Sequence, residues 1–287
     1  MITDPAISVF DDRRCALGEG PFWHPERGQA FWFDILGRRM LGVDGSARQH
    51  WQFDEYVSAA GWIDRDRLLV ASQTALTVFD LVTGRIGQSW PLEAGNVLTR
   101  SNDGRADPMG GFWIGTMSIN KPRGQRGAIY RFYRGEIRKL YDRIGVSNAI
   151  CFAPDGRTAY YADTDTSMIM RQTLDAEGWP AGPPAVFVDL TAEKLRPDGA
   201  VVDSDGNLWN AQFGAARVVC YGADGAMRRV IEVPARQTTC PAFIGADLDR
   251  LMITTAAEGQ DGPSDGMTFV IDGLQATGQA EYRVKLN

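Results

Sequence analysis

One unit recurs six times along the chain. Each copy opens on a residue that is usually polar, runs through a short apolar strand to a turn, and enters a second apolar strand. Two copies show the plan clearly. Asn148 leads through Ala149-Ile150-Cys151-Phe152 to Asp155-Gly156 and into Ala159-Tyr160-Tyr161. Asp198 leads through Ala200-Val201-Val202 to Asp205-Gly206 and into Leu208-Trp209. The other copies open at Glu19, Ser58, Asn102 and Pro241, so the interval is about 40–50 residues, the period of a four-stranded propeller blade. This predicts an all-β fold: a six-bladed β-propeller with four-stranded antiparallel blades around a central channel. No linker separates the copies, and residues 1–287 read as a single propeller domain.

The strands themselves support this. Apolar, aromatic and β-branched runs such as Ala30–Phe33, Leu68–Val70, Phe112–Ile114 and Met252–Thr254 alternate with Asp-Gly or related turns, whose residues tolerate the positive φ of hairpins. A β-sandwich also has short strands and turns, but it does not predict one unit at near-constant spacing. The leading segment, Ile7 to Arg13, and the trailing segment, Glu281 to Val284, are expected to pair and close the ring, removing free edges.

Composition removes several classes of function. The net charge is −6 with both signs interspersed, and no basic stripe suggests nucleic acid. The stretch from Met1 to Phe10 does not read as a secretory signal, and no apolar run approaches a membrane span. The four cysteines, Cys15, Cys151, Cys220 and Cys240, form no Cys-x-x-Cys pair and read as buried, inert thiols. A cytoplasmic protein, monomeric or at most a weak homo-oligomer, is expected. Only two histidines are present, His24 and His50. Any metal site must therefore rest mainly on oxygen donors, and no Gly-x-Ser-x-Gly elbow supports a serine triad.

In a propeller the innermost strand of each blade lines the channel, so the residues that open the copies converge on one face. In order they are Glu19, Ser58, Asn102, Asn148, Asp198 and Pro241. Clustered buried carboxylates repel one another and are costly without compensation. Taken singly, an Asn or Asp there reads as a turn cap. Taken together in register, Glu19, Asn148 and Asp198 read as ligands of one divalent metal ion. Ca²⁺, Mn²⁺ and Mg²⁺ suit such donors, and Zn²⁺ and Fe²⁺ remain open.

Six segments carry a family resemblance: residues 17–24 (Leu-Gly-Glu-Gly-Pro-Phe-Trp-His), 100–105 with Asp107-Pro108, 113–117 (Trp-Ile-Gly-Thr-Met), Ser147-Asn148, Pro154-Asp155-Gly156 and Pro197-Asp198-Gly199. With these the chain resembles the SMP-30/gluconolactonase/luciferin-regenerating-enzyme family, which includes regucalcin and bacterial sugar lactonases. The resemblance implies a six-bladed propeller and assigns the metal to Glu19, Asn148 and Asp198, with Arg100 and Asn102 contacting substrate. In one place the chain departs from the regucalcin-like pattern: residues 117–122 contain no acid where those members carry a substrate-contacting one.

The expected activity is metal-dependent hydrolysis of a sugar lactone, an aldono- or aldarolactone, with Asp198 as candidate base, Arg100 holding substrate oxygens and Asn102 a hydroxyl or the ring ester. The rival readings are a calcium-binding protein without catalysis, a metal-dependent esterase or phosphoesterase on the same fold, and a propeller used as an interaction platform. His24, Trp23, Trp113 and Trp209 read as packing residues. Asp103-Gly104 and Asp155-Gly156 read as turns, and residues 121–126 as a solvated loop or a lid.

Overall fold

The computed structural model describes residues 6–120 and 126–287. Of the segment read as a loop or lid, residues 121–125 lie outside the described residues. The described residues form 24 strands and one 3-10 turn, Thr164–Thr166, arranged as six four-stranded antiparallel sheets. The inner strands are Gly18–His24, Val57–Asp64, Thr99–Ala106, Ser147–Phe152, Pro197–Val202 and Gln237–Ile244 in blades 1 to 6. Each packs against the next, and the sixth packs against the first, which makes the ring. Among the described residues no helix is long and apolar enough to cross a membrane.

Strand alternation explains why the blades stand side by side. In Gln29–Asp34, all of it buried, Phe31 and Phe33 enter an apolar cluster with blade 2, while Ala30 and Trp32 enter one with blade 6. Successive side chains point to opposite faces, so a strand apolar on both faces needs a neighbour on each side. Six apolar clusters result, one at every blade junction. Trp113 meets Phe152 edge-on and Trp209 meets Phe243 in the same way. His24 is fully buried, facing Phe31 and Trp62. All four cysteines are free and buried.

The ring closes differently from the expected pairing. The N-terminal strand Ala6–Asp11 is the outermost strand of blade 6, and it pairs with Thr268–Asp272, not with residues 281–284. Residues 277–285 instead cross the far mouth of the channel. Ser204 N–H donates to Thr277 O, Trp62 Nε1–H to Glu281 O, Val284 N–H to Trp62 O and Lys285 N–H to Gly110 O. Glu281 also forms an ion pair with Arg105 inside that mouth. These bonds satisfy the tail backbone group by group against several blades, so no sheet pairing is needed.

Candidate active site

At the opposite end, the start of every inner strand carries an irregularity in its ladder with the second strand. The register slips after Glu19, across Ser58, across Asn102 and Asp103, after Asn148, across Asp198 and Gly199, and across Thr239. Such bulges re-aim a side chain out of the alternating pattern. Here they sit at the level where the copies open. The sixth position is Thr239, however, not Pro241: Pro241 pairs regularly with Ile253 deeper in the strand. Thr239 Oγ donates to Gly18 O, tying blade 6 to blade 1.

Glycine follows two of these residues for steric reasons. Gly20 has φ of 54°, and a Cβ there would collide with Ser58 O. A Cβ on Gly199 would collide with Cys240. Both motifs therefore let neighbouring inner strands approach closely beside an acidic side chain.

Glu19, Arg100, Asn102, Asn148 and Asp198 all line one cavity of about 680 Å³, and none is more than 6% exposed. A chain of hydrogen bonds fixes the amides. Arg100 Nη1 donates to Asn102 Oδ1 at 2.7 Å. Asn102 Nδ2 donates to Ser147 O at 2.9 Å and to Asn148 Oδ1 at 3.0 Å. Asn148 Nδ2 donates to Thr164 Oγ at 2.8 Å, and Thr164 gives its own proton to Pro197 O at 2.6 Å. Thr164 can then only accept from Asn148, which sets the orientation of that amide. Asn148 Oδ1 keeps one lone pair beyond the bond from Asn102. Asn210 Nδ2 donates to the carbonyls of Asp198 and Gly199 at 2.9 and 3.2 Å, holding that bulge from behind.

The electrostatics are those of crowded anions. Burial, then the negative charges of Asp198 and Asp103, hold the Glu19 carboxyl well above the usual carboxylate range. Burial and Asp103 do the same to Asp198, against the opposing pull of Arg196 and Arg100. Asp103 is pushed up to about 6 by burial, although Ile150 N–H donates to its Oδ2 at 2.7 Å. Asp103-Gly104 is thus not the turn expected from the dipeptide. Gly104 pairs with Ile114 within the sheet, and the turn falls at Gly110, with φ of 92°.

Met117, Ser118 and Ile119, from the segment whose sequence lacks the family acid, form one wall of the cavity. Residues that the sequence did not single out complete it: Asp165 and Glu258 reach it from other blades. Arg196, Phe213 and Tyr56 also line it. No short motif marks these positions, because only the ring brings them to the channel mouth. Among the described residues, no group of three or more His, Cys, Asp and Glu side chains has metal-binding geometry. A metal here would draw on donors besides these side chains, such as an amide oxygen. Glu19 and Asp198 with Asn148 Oδ1 supply oxygen donors only, which fit a hard divalent cation.

Residues 17–257 match the SMP-30/gluconolactonase/LRE-like region, and the chain belongs to that family. It is 34% identical to the L-arabinolactonase of Azospirillum brasilense, over 92% of this chain and 90% of that one. It is 32% identical to a pentonolactonase of Haloferax volcanii, over 95% and 96%. A crystal structure from Agrobacterium tumefaciens, described as regucalcin, a calcium-binding protein, superposes with a TM-score of 0.95 at 38% identity, covering 98% of both chains.

Proposed function

We propose that the protein hydrolyses a sugar lactone, an aldono- or aldarolactone, to the open-chain acid, using one divalent metal ion held by Glu19, Asn148 and Asp198. The observation that carries this reading is the placement of two mutually repelling buried carboxyls and an oriented amide oxygen in one cavity. Such a set is costly alone and is offset by a cation. The lactonase names of full-length relatives supply the reaction class. A cavity of about 680 Å³ that also contains Arg100 suits a substrate, whereas a calcium buffer requires neither.

When bound, the ion polarises the ester carbonyl and lowers the pKa of water. The chain's own groups do the rest. An oxygen of Asp198 accepts the proton of the attacking water. As the ring C–O bond breaks, that proton is delivered to the departing ring oxygen, which becomes a hydroxyl, and the carbonyl carbon becomes a carboxylic acid, which releases water's second proton to solvent to leave the carboxylate. Arg100 Nη1 donates to Ser101 O and Asn102 Oδ1, so the donors it presents to substrate oxygens come from Nη2 or Nε. Both amide protons of Asn102 are already committed, so Asn102 contributes an acceptor, its remaining Oδ1 lone pair, to a substrate hydroxyl.

The test is a pH-stat assay of aldono- and aldarolactones with Ca²⁺, Mn²⁺, Mg²⁺, Zn²⁺ and Fe²⁺, corrected for spontaneous ring opening. Asp198→Ala should lower kcat by at least about a hundredfold. Near wild-type turnover in that variant, or full activity after chelation, refutes the proposal.

A further inference from the structure

Arg196 is a cation on the cavity wall with no part in the hydrolysis described above. It stands two residues before Asp198, and its carbonyl accepts the N–H of Phe213 at 2.9 Å. It therefore forms the rim of blade 5 just outside the inner strand. Its side chain is exposed, its guanidinium carbon lies 5.0 Å from the centroid of the Phe213 ring, and both residues line the cavity. The ion pairs among the described residues do not include it. A guanidinium lying on an aromatic face has its N–H edge available, and that edge matches a planar carboxylate in a bidentate fork. Arg196 and Asp198 line the same cavity, so a substrate whose ester meets Asp198 can present its other end to Arg196.

The remaining rim charges sharpen the choice of site. Asp165 and Glu258 reach the same cavity, and Asp165 lies beside Arg126 at the face of Gly145. The cation on the blade 5 side of the cavity is Arg196. We infer that Arg196 selects lactones carrying a carboxylate at the end remote from the ester, so that the preferred substrate class is the aldarolactones rather than the aldonolactones. This rests on the lactonase reading above.

The experiment compares D-galactaro-1,4-lactone with D-galactono-1,4-lactone, which share a ring and differ only in a terminal carboxylate or hydroxymethyl group. The wild type should favour the first in kcat/KM by about tenfold or more, as one charge-assisted contact provides. Arg196→Gln should abolish most of that ratio, mainly through KM, and Arg196→Lys should restore part of it. Arg196 also acts on the charge of Asp198, but that effect is common to both substrates and cancels in the ratio. A wild type without preference, or a variant that slows both lactones equally, overturns the inference while leaving lactonase activity intact. If the wild type opens no lactone, the hydrolytic reading fails instead, and calorimetric binding of galactarate against galactonate then decides the role of Arg196. Tighter galactarate binding that Arg196→Gln removes upholds it, and equal affinities refute it.

Discussion

The side-chain amide of Asn102 donates to Asn148 Oδ1 at 3.0 Å, joining the inner strands of blades 3 and 4 at the channel mouth. Asn102 is itself fixed by Arg100 and by the carbonyl of Ser147. It thus aims the proposed ligand oxygen of Asn148. Partners of this kind typically contribute 10–100-fold to metal affinity. Asn102→Ala should weaken metal binding by about tenfold or more in a calorimetric titration, and saturating metal should restore part of kcat. Unchanged affinity would leave Asn102 a substrate contact only.

The repulsion between Glu19 and Asp198 has a consequence for stability. Metal-free protein carries crowded buried charge, so a cation that binds the folded chain alone must stabilise it. At a hundred times its Kd the gain is about 2.7 kcal/mol, roughly 4–5 °C in Tm for a chain of this size. Asp198→Asn removes one of the repelling charges. Without metal that variant should melt at or above the wild type, and its metal response should be lost, as read by differential scanning calorimetry. A variant that still gains several degrees with metal would remove Asp198 from the ligand set.

Much of this site was legible because a propeller turns sequence period into position. Glu19, Asn148 and Asp198 open their copies in register, and the ring converts that register into a shared cavity. The errors have a common origin in local ambiguity. Asp103-Gly104 has the chemistry of a turn, yet Gly104 is needed inside the sheet, where a Cβ would strike Ile114 and the Trp113 carbonyl. Pro241 reads as the sixth opener, but the bulge lies two residues earlier, at Thr239. Closure by Ala6–Asp11 on Thr268–Asp272 depends on a pairing across the full length of the chain, which no local pattern encodes. Arg196 and Thr164 have no motif at all and acquire a role only from what the ring places beside them.

His24 provides a pH effect away from the cavity. It is fully buried, Arg27 N–H donates to its Nδ1 at 3.3 Å, and Nε2 lies 3.1 Å from Asp64 O. The neutral ring with its proton on Nε2 satisfies both partners. Burial accordingly holds its pKa below the ordinary 6.5. The unfolded chain takes up this proton first, so the contribution of His24 is intact above about pH 6.5 and declines as pH falls towards the lower folded value, by up to about 1.4 kcal/mol per pH unit. Urea denaturation from pH 7.5 to 5 should show a steeper fall for wild type than for His24→Gln. Parallel curves would show that His24 does not titrate on unfolding.

The far mouth of the channel gives a test in which stability and catalysis separate. Arg105 is largely buried on the inner strand of blade 3 and pairs with Glu281 of the crossing tail, while its Nε has no hydrogen-bond partner. Removing one member of such a pair leaves an uncompensated charge and costs about 3–5 kcal/mol, whereas replacing both with apolar groups is often nearly neutral. Glu281→Ala should therefore lower Tm by roughly 5–8 °C. The double variant Arg105→Met with Glu281→Leu should recover most of the loss. Because Glu281 lies at the opposite end of the channel from Asp198, kcat of Glu281→Ala at 25 °C should stay within about twofold of wild type. If the double variant is no more stable than Glu281→Ala, the tail is held by its backbone bonds to Trp62 and Gly110 and the ion pair contributes little.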